Sequence, residues 1–203
     1  MWEQSKAAKR RFSDGLFHSR YFVGEGIDIG GKPDPLHQFR GVFPMMREVR
    51  TWDLEDGDAQ YMEGVPDDRY DFVHSSHCLE HMHDVRVALG HWTRILKPSG
   101  YLIVTIPDED LYEHGEWPSR YNADHKWSFT ICKPSSPMPN SINVVDLVKD
   151  FSDRLELERL QLVTDFYRTW LPPATDQSMT LATECGIEVI WRKRGNDKGS
   201  AAS

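Results

Sequence analysis

His77, Glu80 and His81 stand at i, i+3 and i+4 at the end of the run Tyr70-Asp71-Phe72-Val73-His74-Ser75-Ser76-His77-Cys78-Leu79-Glu80-His81. On a helix this spacing puts two imidazoles and a carboxylate on one face. The residues ahead of them, Tyr70 to Val73, read as a buried strand whose polar end opens into a cleft. A strand that hands such groups to the carboxyl edge of a sheet is where an α/β enzyme does its chemistry.

The elements before this run are suited to holding a nucleotide-like molecule beside it. Gly26-Ile27-Asp28-Ile29 is a short strand closed by Gly30-Gly31. Two glycines let the backbone turn tightly and approach a ligand with no Cβ in the way. Asp28 can accept hydrogen bonds from a ligand's ammonium or from the loop's own amides. The next strand, Val49-Arg50-Thr51-Trp52-Asp53, ends in an acid. It falls roughly twenty residues past the glycine turn, the offset at which a carboxylate accepts from both hydroxyls of a ribose. Asp58, in Gly57-Asp58-Ala59-Gln60, can accept from an adenine amino group.

Further on, Asp84 is placed to cap a helix whose apolar stripe is Val85, Ala88, Leu89, Trp92, Ile95 and Leu96, which makes Trp92 a core residue. Lys97-Pro98-Ser99-Gly100 ends that helix, and Tyr101 to Ile106 is an apolar central strand. Between Pro107 and Asn143 periodicity fails while Pro, Ser, Asp, His and aromatic residues abound. A long irregular segment after a central strand reads as a substrate-binding insertion. A helix from Val144 and strands over Leu157–Thr164 and Glu184–Arg192 follow. This gives three expected parts: a helical cap over 1–22, one domain over 23–192 with its insertion at 107–143, and a disordered tail over 193–203.

At 203 residues the chain suits one domain with a substantial core. Its net charge of -8 argues against a general nucleic-acid binder. The basic run Lys6-Ala7-Ala8-Lys9-Arg10-Arg11 reads as a solvated helix face, with contact to an anionic substrate as the sharper alternative. Cys78, Cys132 and Cys185 form no CxxC pair, and neither a signal-peptide pattern nor a membrane-spanning run is present, so a reducing, cytoplasmic setting is expected.

In order, Gly26-Ile27-Asp28-Ile29-Gly30-Gly31, Asp53, Asp58-Ala59, Tyr70-Asp71-Phe72-Val73 with Leu79-Glu80-His81, and Leu96-Lys97-Pro98-Ser99-Gly100-Tyr101-Leu102 resemble class I S-adenosylmethionine-dependent methyltransferases. The resemblance covers roughly residues 20 to 192. It implies an α/β, Rossmann-like, doubly wound, mostly parallel seven-stranded sheet with the last strand antiparallel. Asp28, Gly30 and Gly31 would then cradle the methionine end of S-adenosyl-L-methionine, Asp53 the ribose, Asp58 and the Ala59 amide the adenine. Ser75 or Ser76 would line the sulfonium. Lys32-Pro33-Asp34 departs from the family's Gly-x-Gly-x-Gly and stiffens the loop.

A narrower resemblance is to metal-dependent methyltransferases of small-RNA 2′-hydroxyls, and to ubiquinone-pathway O-methyltransferases. The former carry Glu-x-x-Glu-His and an Asp-His-Lys-aromatic segment, matched here by His77-Cys78-Leu79-Glu80-His81 and Asp124-His125-Lys126-Trp127. This implies a divalent metal site of His77, Glu80, His81 and His125. With His77 in place of an acid, the set leans from magnesium towards zinc, manganese or iron. Without a metal, His125 or His81 is the general base. The expected activity is O-methylation of a small-molecule acceptor, a sugar or glycan precursor. The alternatives are an RNA 3′-terminal 2′-O-methyltransferase and an inactive methyltransferase-like scaffold subunit. Self-association is left open.

Overall fold

The computed structural model describes residues 3–172 and 175–195. In chain order the elements are α1 (Glu3–Phe12), β1 (Gly24–Ile29), β2 (Met46–Trp52), β3 (Tyr70–Ser76), α2 (Val85–Ile95), β4 (Leu96–Pro107), β5 (Ser128–Thr130), β6 (Ser141–Asn143), α3 (Val144–Asp150), β7 (Leu155–Val163) and β8 (Gly186–Lys193). Among the described residues the main sheet has the order β2-β1-β3-β4-β8-β7, and β5 and β6 form a small second sheet within the insertion. Strands β2, β1, β3 and β4 run parallel, and β8 is antiparallel to both β4 and β7. This is the expected doubly wound architecture with its last strand reversed.

The sheet has six strands where seven were expected. The missing one would lie between β2 and β3, but residues 53–69 form only turns. Gly57, Gly64, Pro66 and a run of acids leave no apolar stretch there for a strand to bury. Strand β2 therefore forms an edge, and it displays Arg47, Glu48 and Arg50 to solvent, charges that discourage pairing with another sheet. The expected tail also shifts: Lys193 belongs to β8, and residues 196–203 lie outside the described ones. No helix among the described residues is long and apolar enough to cross a membrane.

Alternation along the strands builds a core on each face. One side of the sheet, with Ile27, Val73, Leu102, Val104 and Val189, packs under α2 and α3. Helix α2 starts where the sequence indicates: Asp84 accepts from the Arg86 and Val87 amides at 2.8 and 3.1 Å. Trp92 is fully buried and donates to the Ala59 carbonyl at 2.8 Å, which anchors the loop after β2. The opposite side, with Phe72, Ile103 and Ile190, packs against Ala8 of α1 and the aromatic π-helical turn Phe17–Tyr21.

Helix α1 overturns the reading of its basic run as a solvated face. Arg11 is fully buried and Lys6 nearly so. Arg11 donates to Glu188 Oε2 from Nε and Nη2 at 2.9 and 2.6 Å, and to Thr105 Oγ1 at 3.0 Å. Arg10 bridges Glu184 and Glu188. The polar face of this helix is thus turned inward, onto acids carried by and next to β8. Burial alone would raise the Glu188 carboxyl, but Arg11 and Arg10 outweigh it and bring it down to about 2. A depressed carboxyl stabilises the fold above its unfolded pKa of about 4.3, and that contribution disappears as pH falls towards the folded value. Glu188→Gln leaves Arg11 buried without its counter-charge, so a loss of roughly 3–5 kcal/mol at neutral pH is expected in urea unfolding. The stability of the variant should also fall less steeply than that of the wild type between about pH 4.3 and 2.

Candidate active site

The glycine turn is fixed from two sides. Gly30 has φ +72, and a Cβ there would lie 2.6 Å from Cys78 Sγ. At Gly31 a Cβ would meet Asp28 Oδ2 at 2.4 Å. Asp28 cannot move aside: its Oδ2 accepts from the Leu36 amide and its Oδ1 faces His74 Nδ1, both at 2.7 Å. Of the two roles open to Asp28 in the sequence, bracing the loop is the one its oxygens perform here. The His74 ring continues to Arg11 Nη1 at 3.1 Å and is a packed strand residue. Lys32 sends its amide to Asp53 Oδ2 at 2.9 Å and its ammonium to Glu55, tying the turn to the end of β2.

Strand β3 runs on to Ser76, and no α-helix starts before Val85. His77 turns the chain with φ +51, its amide still donating to the Thr105 carbonyl at 2.9 Å, and Leu79–His81 form a single 3-10 turn. His77, Glu80 and His81 therefore meet across a bend and not along a helix face. His125 arrives by backbone pairing. The Lys126 and Trp127 amides both donate to the Glu80 carbonyl, at 2.9 and 3.3 Å, and Trp127 Nε1 donates to the Met82 carbonyl at 2.9 Å.

These contacts surround one fully buried carboxylate. Glu80 Oε1 lies 3.7 Å from His77 Nδ1, 3.8 Å from His125 Nε2 and 4.0 Å from His81 Nε2. Among the described residues neither Glu80 oxygen has a hydrogen-bond partner. The far nitrogens of two rings are held by acids: His125 Nδ1 meets Glu113 Oε1 at 2.6 Å, and His81 Nδ1 meets Asp124 Oδ2 at 2.9 Å. Burial pushes the Glu80 carboxyl up to about 7 and the His77 imidazole down to about 3, so His77 is neutral at physiological pH. The ligand atoms of Glu80, His81 and His125 lie within 4.8 Å of one another, and His77 joins them through its contact with Glu80.

Two hollows meet here. One, of 230 Å3, is walled by α1, the glycine turn, the Glu80 cluster and the insertion residues Tyr112, Tyr121 and Asn122; Asp28 and Ser76 also line it. The other, of 580 Å3, is lined by Asp53, Asp58, Ala59 and Met82 among others. Gly30, Lys32, His77 and His81 border both, so the acids at 28, 53 and 58 lie along one continuous groove. The larger hollow falls in the range of about 300–1,000 Å3 usual for small-molecule sites. Ser75 corrects the sequence reading: it is fully buried, lines neither hollow and donates to the Ile29 carbonyl at 3.1 Å. In a parallel sheet alternate residues point to opposite faces, so only one of the adjacent serines can reach the groove. Sequence reasoning missed Glu113 and the α1 residues Glu3 and Gln4. Asp124 had a visible signal in its neighbour His125, whereas Glu113 lies in the aperiodic insertion with none.

A methyltransferase-domain family model matches residues 11–144. The chain belongs to this family. It is an S-adenosylmethionine-dependent methyltransferase. Its fold is similar to that of an S-adenosylmethionine-dependent methyltransferase from Archaeoglobus fulgidus (TM-score 0.62, 14% identity, 94% of each chain covered). It is also similar to a chain of the complex between the Haloferax volcanii Trm112 methyltransferase activator and a methyltransferase (TM-score 0.56, 15% identity, 94% of each chain covered). A third similar structure, solved in work on conversion of a disulfide into a thioacetal during echinomycin biosynthesis, gives a TM-score of 0.60 at 13% identity, with 96% of this chain and 86% of that one covered. None of the curated proteins matches the sequence.

The glycine turn of this methyltransferase gives a direct test. Gly31→Ala drives a methyl group into a carboxylate that His74 and the Leu36 amide hold in place. Calorimetric titration with S-adenosylhomocysteine should show affinity reduced by roughly tenfold or more, with the circular dichroism of the fold retained.

Proposed function

We propose that this methyltransferase moves the methyl group of S-adenosylmethionine onto a hydroxyl of a small polyol, a sugar or glycan precursor, with a divalent cation at Glu80, His81, His125 and His77. The observation that carries this reading is the orphaned Glu80 carboxylate, ringed by imidazole nitrogens at 3.7–4.0 Å. These separations are too long for hydrogen bonds. Ligands about 2.1 Å from a tetrahedral ion stand roughly 3.4 Å apart, so the Glu80, His81 and His125 atoms, now within 4.8 Å of one another, would draw together on a cation, with His77 approaching from beside Glu80. A nitrogen-rich set suits zinc, manganese or iron better than magnesium. Glu113 and Asp124 supply the outer carboxylates that fix ring orientation at metal-binding histidines.

When bound, such a cation orients a diol and lowers the pKa of one hydroxyl. The residues of the chain do the rest. Asp53 holds the ribose, and Asp58 with the Ala59 amide holds the adenine, while Gly30, Gly31 and Ser76 keep the sulfonium end beside His77. Residues 107–143 form the acceptor wall, with Tyr112 and Tyr121 offering ring faces and Asn122 a polar contact. The acceptor oxygen forms the new C–O bond as the C–S bond breaks, the electron pair stays on sulfur as S-adenosylhomocysteine, and the hydroxyl proton is released to solvent.

A metal-free version is favoured by one observation: His81 is backed by Asp124, a dyad suited to general-base catalysis. An RNA 3′ end would present a similar diol. Against it, the basic groups at the mouth are already paired, Lys32 with Glu55 and Lys126 with Asp124. Elemental analysis of protein purified without chelator should find close to one equivalent of a transition metal. Glu80→Gln and His125→Ala should lose it while keeping their circular dichroism. Full methyl transfer by a metal-free wild type would remove the cation and leave the Asp124–His81 dyad as the base.

A further inference from the structure

Gln4, on α1, is 4% exposed, and among the described residues its Nε2 has no hydrogen-bond partner. Its amide orientation is set by its neighbour. Arg11 carries only donors, and its Nη1 lies 3.3 Å from Gln4 Oε1, so the carbonyl of the amide must face the guanidinium. Arg11 is itself fixed by Glu188 and Thr105. The NH2 group is therefore turned away from Arg11, on a residue that lines the 230 Å3 hollow together with the glycine turn. A buried amide donor without an acceptor costs stability, and in a ligand cavity it marks where an acceptor oxygen is to sit.

Glu3 is its companion. Lys6 holds Glu3 Oε1 at 2.8 Å, and Oε2 has His77 Nε2 at 3.8 Å as its near neighbour. Of the other acids on this wall, Asp28 is engaged by His74 and the Leu36 amide. Asp34 is engaged by the Ser5 amide, the Ser5 hydroxyl and Gln38. Glu80, the remaining acid of the hollow, is ringed by imidazoles, so on the α1 side Glu3 offers the carboxylate oxygen best placed to take a new cationic partner. The Ser5–Asp34 bonds also clamp α1 directly onto the loop that follows Gly31.

We propose that α1 receives the amino-acid end of the methyl donor, Gln4 Nε2 donating to its α-carboxylate and Glu3 accepting from its ammonium. This rests on the donor-groove reading above and adds two binding residues from a helix outside the sheet.

The test compares two probes that differ only in this end. S-Adenosylhomocysteine carries the amino-acid tail, and 5′-methylthioadenosine lacks it. Titration of Gln4→Leu should show S-adenosylhomocysteine bound about 10–100-fold more weakly, with 5′-methylthioadenosine unchanged. Gln4→Glu keeps an acceptor for Arg11 while replacing the donor with a negative charge, so its loss should be at least as large and equally selective. Glu3→Gln should show a smaller loss of the same selectivity. Equal losses for both probes, or none, would overturn the assignment. If the wild type binds neither probe, the donor groove itself is in error.

Discussion

A line of charge crosses the sheet from its reversed strand to its first loop. Glu188 on β8 holds Arg11, Arg11 meets His74 on β3, His74 meets Asp28 at the end of β1, and Asp28 holds the Leu36 amide. Each member is at most 2% exposed, so each is worth having only while its neighbours are present. The glycine turn, the N-terminal helix and the far strand are thereby made into one unit. Removing a link takes a partner from the buried polar group on either side of it.

The same arrangement explains why Asp28 braces the loop. Its two partners, the Leu36 amide and His74, are both buried, with no solvent to replace the bond if either is lost. Glu80 lacks such partners: burial raises its carboxyl, three imidazoles surround it, and among the described residues no donor comes within bonding distance. A bare carboxylate in that state is costly, and a proton or a cation among those rings relieves it.

Features governed by local chemistry could be read from the sequence. The Gly30-Gly31 turn, the Asp84 cap, the core position of Trp92 and the apolar strand through Ile103 follow from neighbours within a few residues. Arg11 could not be read this way. Three charged residues in a row on a short helix look solvated, and the acid that buries Arg11 lies 177 residues away. The spacing of His77, Glu80 and His81 suggested a helix because i, i+3, i+4 is what a helix would need. The chain instead gathers them with a left-handed residue and a 3-10 turn, and only the returning insertion reveals that geometry. Glu113 carries no pattern at all, since its place beside His125 is set by an aperiodic segment.

That insertion is pinned at its base by main-chain bonds. The Glu109 amide donates to the Phe129 carbonyl, and the Lys126 amide donates to the Glu80 carbonyl. Between these staples the chain makes an excursion that carries Tyr112, Tyr121 and Asn122 out to the groove and brings His125 back. Main-chain bonds at the base do not depend on which side chains decorate the tip. Tyr112 and Tyr121 can therefore change without loosening the staples, whereas Glu113 and His125, carried on the same excursion, tie it to the Glu80 cluster.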